Sequence, residues 1–133
     1  MISIKPFIFT LACSFLFGSS ASAETGVSSD GVFRLQTHSH LSGLSARIFS
    51  EVEFTLTDKL NVPVTGAHIR LSGGMRAHGH GLPTRPLVKE LDVGRYIVRG
   101  LMFSMPGSWE LQFDIEVDEY ADQVRLDFII SDD

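Results

Sequence analysis

Trp109-Glu110-Leu111-Gln112-Phe113-Asp114-Ile115-Glu116-Val117 alternates apolar and polar residues without a break. Successive side chains of an extended strand point to opposite faces. Trp109, Leu111, Phe113, Ile115 and Val117 therefore share one face, and Glu110, Gln112, Asp114 and Glu116 share the other. A helical period would scatter the five apolar side chains around the axis instead. One apolar face and one charged face mark a half-buried antiparallel strand, and its apolar face needs a second layer to cover it.

The same period recurs outward from this stretch. Downstream, Tyr120 to Asp122 is expected to turn before Val124, Leu126, Phe128 and Ile130 form a closing strand. Upstream, Met105-Pro106-Gly107-Ser108 reads as a turn. Before it, Tyr96 and Val98 point one way and Arg95, Ile97 and Arg99 the other, in a strand running toward Met102. Leu87 to Leu91 is a short strand turned back by Asp92-Val93-Gly94. Ala67, Ile69 and Leu71 alternate with His68 and Arg70, and Gly73-Gly74 is expected to end that strand. Val52, Phe54 and Leu56 alternate with acidic residues and threonines between Ile48 and Thr57. Val32 to Gln36 is the first strand, after a small, polar leader from Glu24 to Gly31. These segments predict an all-β domain, an antiparallel immunoglobulin-like β-sandwich of about seven strands. The Cys…Trp…Cys marks of a true immunoglobulin domain are missing, so the expectation concerns architecture only.

The N-terminus reads as a processing segment. Lys5 precedes the apolar run Phe7 to Phe17, and Ala21-Ser22-Ala23 has the small-x-small form cut by signal peptidase. The run is too short for a stable membrane anchor, which takes about 20 residues. Residues 1–23 are thus expected to be a cleaved signal peptide and residues 24–133 a single exported, periplasmic domain. A lipobox reading of Leu11-Ala12-Cys13 fails on position, because most of the apolar run would follow the cleavage point. Cys13 is the only cysteine, so the mature chain has no disulfide, no thiolate nucleophile and no blue-copper ligand. A net charge of -5 without a basic cluster argues against nucleic acid and anionic membrane surfaces as partners.

Chemistry concentrates in Met75-Arg76-Ala77-His78-Gly79-His80-Gly81-Leu82-Pro83-Thr84-Arg85-Pro86. On an extended backbone His78 and His80 project to the same side, where both imidazoles reach one ion. Imidazole suits copper, zinc and nickel, and a thioether such as Met75 favours Cu(I). The competing reading, an idle solvent-exposed Gly/His loop, stays open at this point. Met102 shares the parity of Tyr96 and Val98 and is expected in the core. Met105, at a strand end, sits where a further ligand for the histidine loop belongs. His38 and His40 repeat the His-x-His spacing and are secondary candidates, whereas His68 lies on a polar strand face. Enzyme motifs are missing: there is no Gly-x-Ser-x-Gly elbow and no His-Glu-x-x-His pair. A histidine-brace oxygenase needs an N-terminal histidine, and Glu24 stands there instead.

The histidine loop, together with Gly94-Arg95-Tyr96-Ile97-Val98-Arg99-Gly100-Leu101-Met102-Phe103-Ser104-Met105-Pro106-Gly107-Ser108-Trp109-Glu110-Leu111, resembles the FixH-like/YtkA-like group. Those are small exported or membrane-tethered bacterial β-sandwich domains linked to copper handling and cytochrome oxidase assembly. The resemblance runs from Glu51 to Phe128. It implies that Met75, His78, His80 and Met105 form the ligand set, and that the role is binding or delivery rather than catalysis. A cleavable signal peptide without a retained anchor departs from the tethered members. The expectation is then a non-enzymatic periplasmic copper-binding protein, with Cu(I) favoured and Cu(II) admitted. Its partner would be an envelope cuproprotein or copper transporter, and a homodimer sharing the ion is compatible. The rival is a non-metal interaction module, in which the proline-set surface from Gly79 to Pro86 docks onto an envelope protein.

Overall fold

The structure, a computed structural model, describes residues 23–132. Their strands are β1 (Thr25–Val27), β2 (Phe33–Thr37), β3 (Ser50–Asp58), β4 (His68–Met75), β5 (His80–Gly81), β6 (Leu87–Asp92), β7 (Arg95–Leu101), β8 (Gly107–Val117) and β9 (Tyr120–Ile130). All pair antiparallel. One sheet has the order β1-β2-β3-β7-β6 and the other β5-β4-β8-β9. Taken from β2 onward in chain order, these are strands A-B-E-D and C′-C-F-G of the immunoglobulin arrangement, with β1 added outside strand A.

The core lies where the alternation put it. Trp109, Leu111, Phe113 and Ile115 of β8 are buried, as are Val124, Leu126 and Ile130 of β9 and Val52, Phe54 and Leu56 of β3. Phe54 stacks on Tyr96 within its sheet, with centroids 5.5 Å apart, and meets Phe113 of the other sheet edge-on at 5.3 Å. This aromatic contact joins β3 to β8, the pair that a disulfide links in antibody domains, and so staples the sheets without sulfur. The Tyr96 hydroxyl donates to the Val64 carbonyl at 2.8 Å and accepts the Ala67 N–H at 3.1 Å. It thereby fixes the crossing from one sheet to the other. Phe103 packs on Trp109 and Phe128 at the opposite end of the core.

Several expectations are corrected. The strand count is nine rather than seven; the seven expected strands are all present, and the short β1 and β5 are additional. β1 lies in the stretch read as a polar leader, where Gly26 packs closely against the side chains of Val124 and Leu126. Gly73 and Gly74 do not end β4 but lie within it. The last turn is Asp118-Glu119, not Tyr120 to Asp122, because Val117 pairs directly with Tyr120. A two-residue hairpin loop needs positive φ, and Asp118 adopts 51°. Met102 is only half-buried, while Leu101 and Phe103 point inward. The cause is a register shift against β3, with Gly100 at φ 76°, which resets the alternation of β7. The expected signal peptide lies, apart from Ala23, outside the described residues.

Candidate metal centre

Close backbone approach shapes the histidine loop. A side chain at Gly73 would collide with the Glu110 carbonyl, and one at Gly74 with the His80 carbonyl. Glycines here let β8 and β5 close on β4 from both sides. Past Met75 the chain makes a 3-10 turn, Arg76–His78, which Gly79 ends in the left-handed conformation at φ 64°. Left-handed backbone suits glycine, which has no Cβ to clash. The chain then returns as β5, pairing Gly81 with Gly74 and His80 with Met75. The Leu82 N–H donates to the Gly73 carbonyl at 3.1 Å and closes the loop.

His78 and His80 therefore do not lie on one extended strand, as the spacing had suggested. One ends a 3-10 turn and the other begins a strand, yet the fold brings them together: their ring centroids are 6.2 Å apart. Two imidazoles bound to one ion through nitrogens at about 2.0–2.1 Å have centroids roughly 5–6.5 Å apart. Both side chains are exposed. Met75 is the cross-strand partner of His80, so their side chains leave the same face of the ladder.

Met75 itself turns into the core and is only 2% exposed. Its methyl rests on Gly107, two residues beyond Met105. Met105 is 36% exposed, and its carbonyl accepts the indole N–H of Trp109 at 2.9 Å. The buried tryptophan thus anchors the turn that carries the second thioether. Both methionines and both histidines belong to the same end of the sandwich.

Glu110, read from the alternation as an ordinary solvated carboxylate, has a further task. It forms an ion pair with Arg76, tying the 3-10 turn to β8, and its side chain is only 17% exposed. Nothing in the local pattern around Glu110 marks it, since its partner is 34 residues away in sequence. Glu110 and Arg76 line a hollow with Glu24, Trp109 and Asp127, which adjoins Gly74 and Ala77 at the start of the histidine loop.

The secondary candidates are engaged elsewhere. His38 contacts the Thr55 hydroxyl at 2.7 Å through Nε2, and Nδ1 lies 3.6 Å from Glu53. His40 Nδ1 lies 3.5 Å from Glu24. Burial pushes the Glu24 carboxyl up, but hydrogen bonds from the Leu41 N–H, its own N–H, the Thr37 hydroxyl and His40 outweigh it and hold the group below its ordinary value. His68 starts β4, seven residues from Met75 and so about 23 Å away along an extended strand. Among the described residues no three His, Cys, Asp or Glu side chains gather as a metal-holding group. Sulfur donors would have to complete the histidine pair. Among the described residues, too, no helix is long and apolar enough to cross a membrane.

The family model described as YtkA-like matches residues 25–114, which include β1 to β7, the histidine loop, Met105 and the first part of β8. Comparison with curated proteins and with solved structures gave no match.

Proposed function

The chain belongs to the YtkA-like family, and from that premise we propose that it is an exported, periplasmic copper-binding protein that buffers or delivers the ion. His78 and His80 anchor the metal, and Met75 and Met105 supply thioether sulfur. The observation carrying this proposal is the 6.2 Å approach of the two exposed imidazoles, with a methionine as cross-strand partner of one of them. A neutral-nitrogen and thioether set favours Cu(I), and Cu(II) remains within reach of the imidazoles. The exposed histidines offer an open side from which an acceptor's ligands can displace them. Export rests on the leader at residues 1–23. The recipient is an envelope cuproprotein or copper transporter, and the role is not enzymatic.

The test is an anaerobic Cu(I) titration against a chromophoric competitor. One equivalent bound is expected, with loss of at least about tenfold in affinity for the His78→Ala/His80→Ala variant. Both histidines are exposed, so that variant keeps its core. Stoichiometry near zero, or affinity unchanged in the double variant, overturns the proposal.

A further inference from the structure

At the end of the sandwich away from the histidine loop, three connections surround a groove of about 470 Å³. They are the turn before β2, the loop from β3 toward β4, and the β8–β9 hairpin. Phe33, Val64 and Val117, all buried or half-buried, line its floor. Leu60 and Tyr120 stand at its rim, and they are 75% and 61% exposed. Gly94 packs on Pro63 beside the groove, and the neighbours of these two residues, Val93 and Val62, are exposed as well. Large apolar side chains gathered in the open around a hollow mark a place of interaction.

The walls are set before any ligand arrives. The Asp58 carboxylate accepts the N–H groups of Leu60 and Val62 at 2.8 and 2.9 Å, and the Val64 N–H donates to the Leu56 carbonyl at 3.0 Å. On the second side the Ser28 hydroxyl accepts the Phe33 N–H at 2.8 Å. On the third, Val117 pairs with Tyr120 across the tight hairpin turn. A site held in this way lowers the ordering cost of binding.

Charge identifies the occupant. Asp30, Asp58 and Asp118 line the groove against a single cation, Lys59, on a chain whose net charge is -5. None of these four forms an ion pair among the described residues. A second copy docked end to end, or an anionic membrane, would meet like charge here. A neutral apolar ligand would cover the carboxylates without pairing them, at a cost in free energy. A large aliphatic side chain between basic residues satisfies floor and rim together. We infer that the groove receives a short segment of a partner protein with that pattern, its aliphatic group on Phe33, Val64 and Val117 and its cations on Asp30 and Asp118. This goes beyond copper binding and does not depend on it. β8 runs from Gly107, beside Met75, to Val117 at the groove, so the two sites are about 34 Å apart. A partner held here leaves the histidine loop uncovered.

The experiment uses the purified, metal-free protein and the fluorescein-labelled peptide Gly-Arg-Leu-Arg-Gly. Anisotropy should report saturable binding, and amide NMR shifts should concentrate in residues 30–33, 58–65 and 117–120. The double variant Asp30→Asn/Asp118→Asn should weaken binding at least about tenfold, because both attractive contacts are lost. Asparagine tolerates the left-handed backbone at position 118, so the hairpin is kept. Serine in place of the peptide's leucine should abolish binding, and that arm alters the probe alone. No binding at millimolar peptide, equal binding of the serine peptide, indifference to the double variant, or shifts centred on the Glu24/Arg76 hollow would each overturn the inference. So would concentration-dependent self-association that Leu60→Ser abolishes, since the groove would then be taken by a second copy.

Discussion

The methyl group of Met75 packs against the α-carbon of Gly107 so closely that a Cβ at position 107 would lie 2.6 Å from it. This contact couples the strand entering the histidine loop to the turn carrying Met105. Gly107 also has φ 131°, a conformation that side chains resist.

Gly107→Ala should therefore destabilise the protein by about 1–3 kcal/mol, chiefly through backbone strain, while the flexible end of Met75 moves aside. Urea denaturation measures the loss. The Met75 methyl resonance should move as the side chain is displaced. An unchanged resonance with unchanged stability would show that the contact is slack.

Gly74→Ala should separate fold from site. The added Cβ meets the His80 carbonyl, so β5 must leave β4 while the β8 ladder persists. Copper affinity should fall at least about tenfold, while the far-ultraviolet spectrum stays close to that of the parent. Retained affinity would mean that His80 does not need β5 to hold it in place.

Met75→Leu asks whether a buried sulfur serves as a ligand. The exchange nearly conserves volume and should cost less than about 1.5 kcal/mol. Weakened Cu(I) binding with Cu(II) binding unchanged is expected, since only the soft ion gains from a thioether. If Cu(I) affinity is unaltered, Met75 belongs to the core alone.

Acid should weaken the fold partly through Glu24. Its folded pKa lies below the ordinary carboxylate value of 4.5, so its contribution is complete above that value and disappears as pH falls through the lower, folded one. Glu24→Gln should cost about 1.5–3 kcal/mol near neutrality and flatten the acid limb of the stability profile. Urea midpoints from pH 7 to pH 2 provide the check.

Phe54→Ala should remove about 3–5 kcal/mol, as expected for a large side chain deleted from a filled core. The two ring contacts of Phe54, to Tyr96 and to Phe113, disappear together. Thermal and urea unfolding should both report it.

Much of the architecture was legible from period alone. Each strand with one buried face advertised it, from Val52-x-Phe54-x-Leu56 to Val124-x-Leu126-x-Phe128. What period missed were segments too short to alternate and places where the backbone departs from it. β1 and β5 have three and two residues. At Gly100 the register shifts, and the face of Met102 changes with it. Glycines 73 and 74 punctuate a sequence in the same way whether they end a strand or let two neighbours crowd it.

By itself, the sequence determined that this chain builds an antiparallel sandwich and that its soft donors cluster between Met75 and Met105. Burial of alternate side chains is a local property, and periodicity records it. Only the tertiary structure decided which donors meet. His78 approaches His80 because Gly79 turns the backbone, and Met75 dips into the core against Gly107, 32 positions along the chain. It also decided that Glu110 secures Arg76. These relations depend on register and on close approach between distant segments, and no local pattern of residue types encodes them.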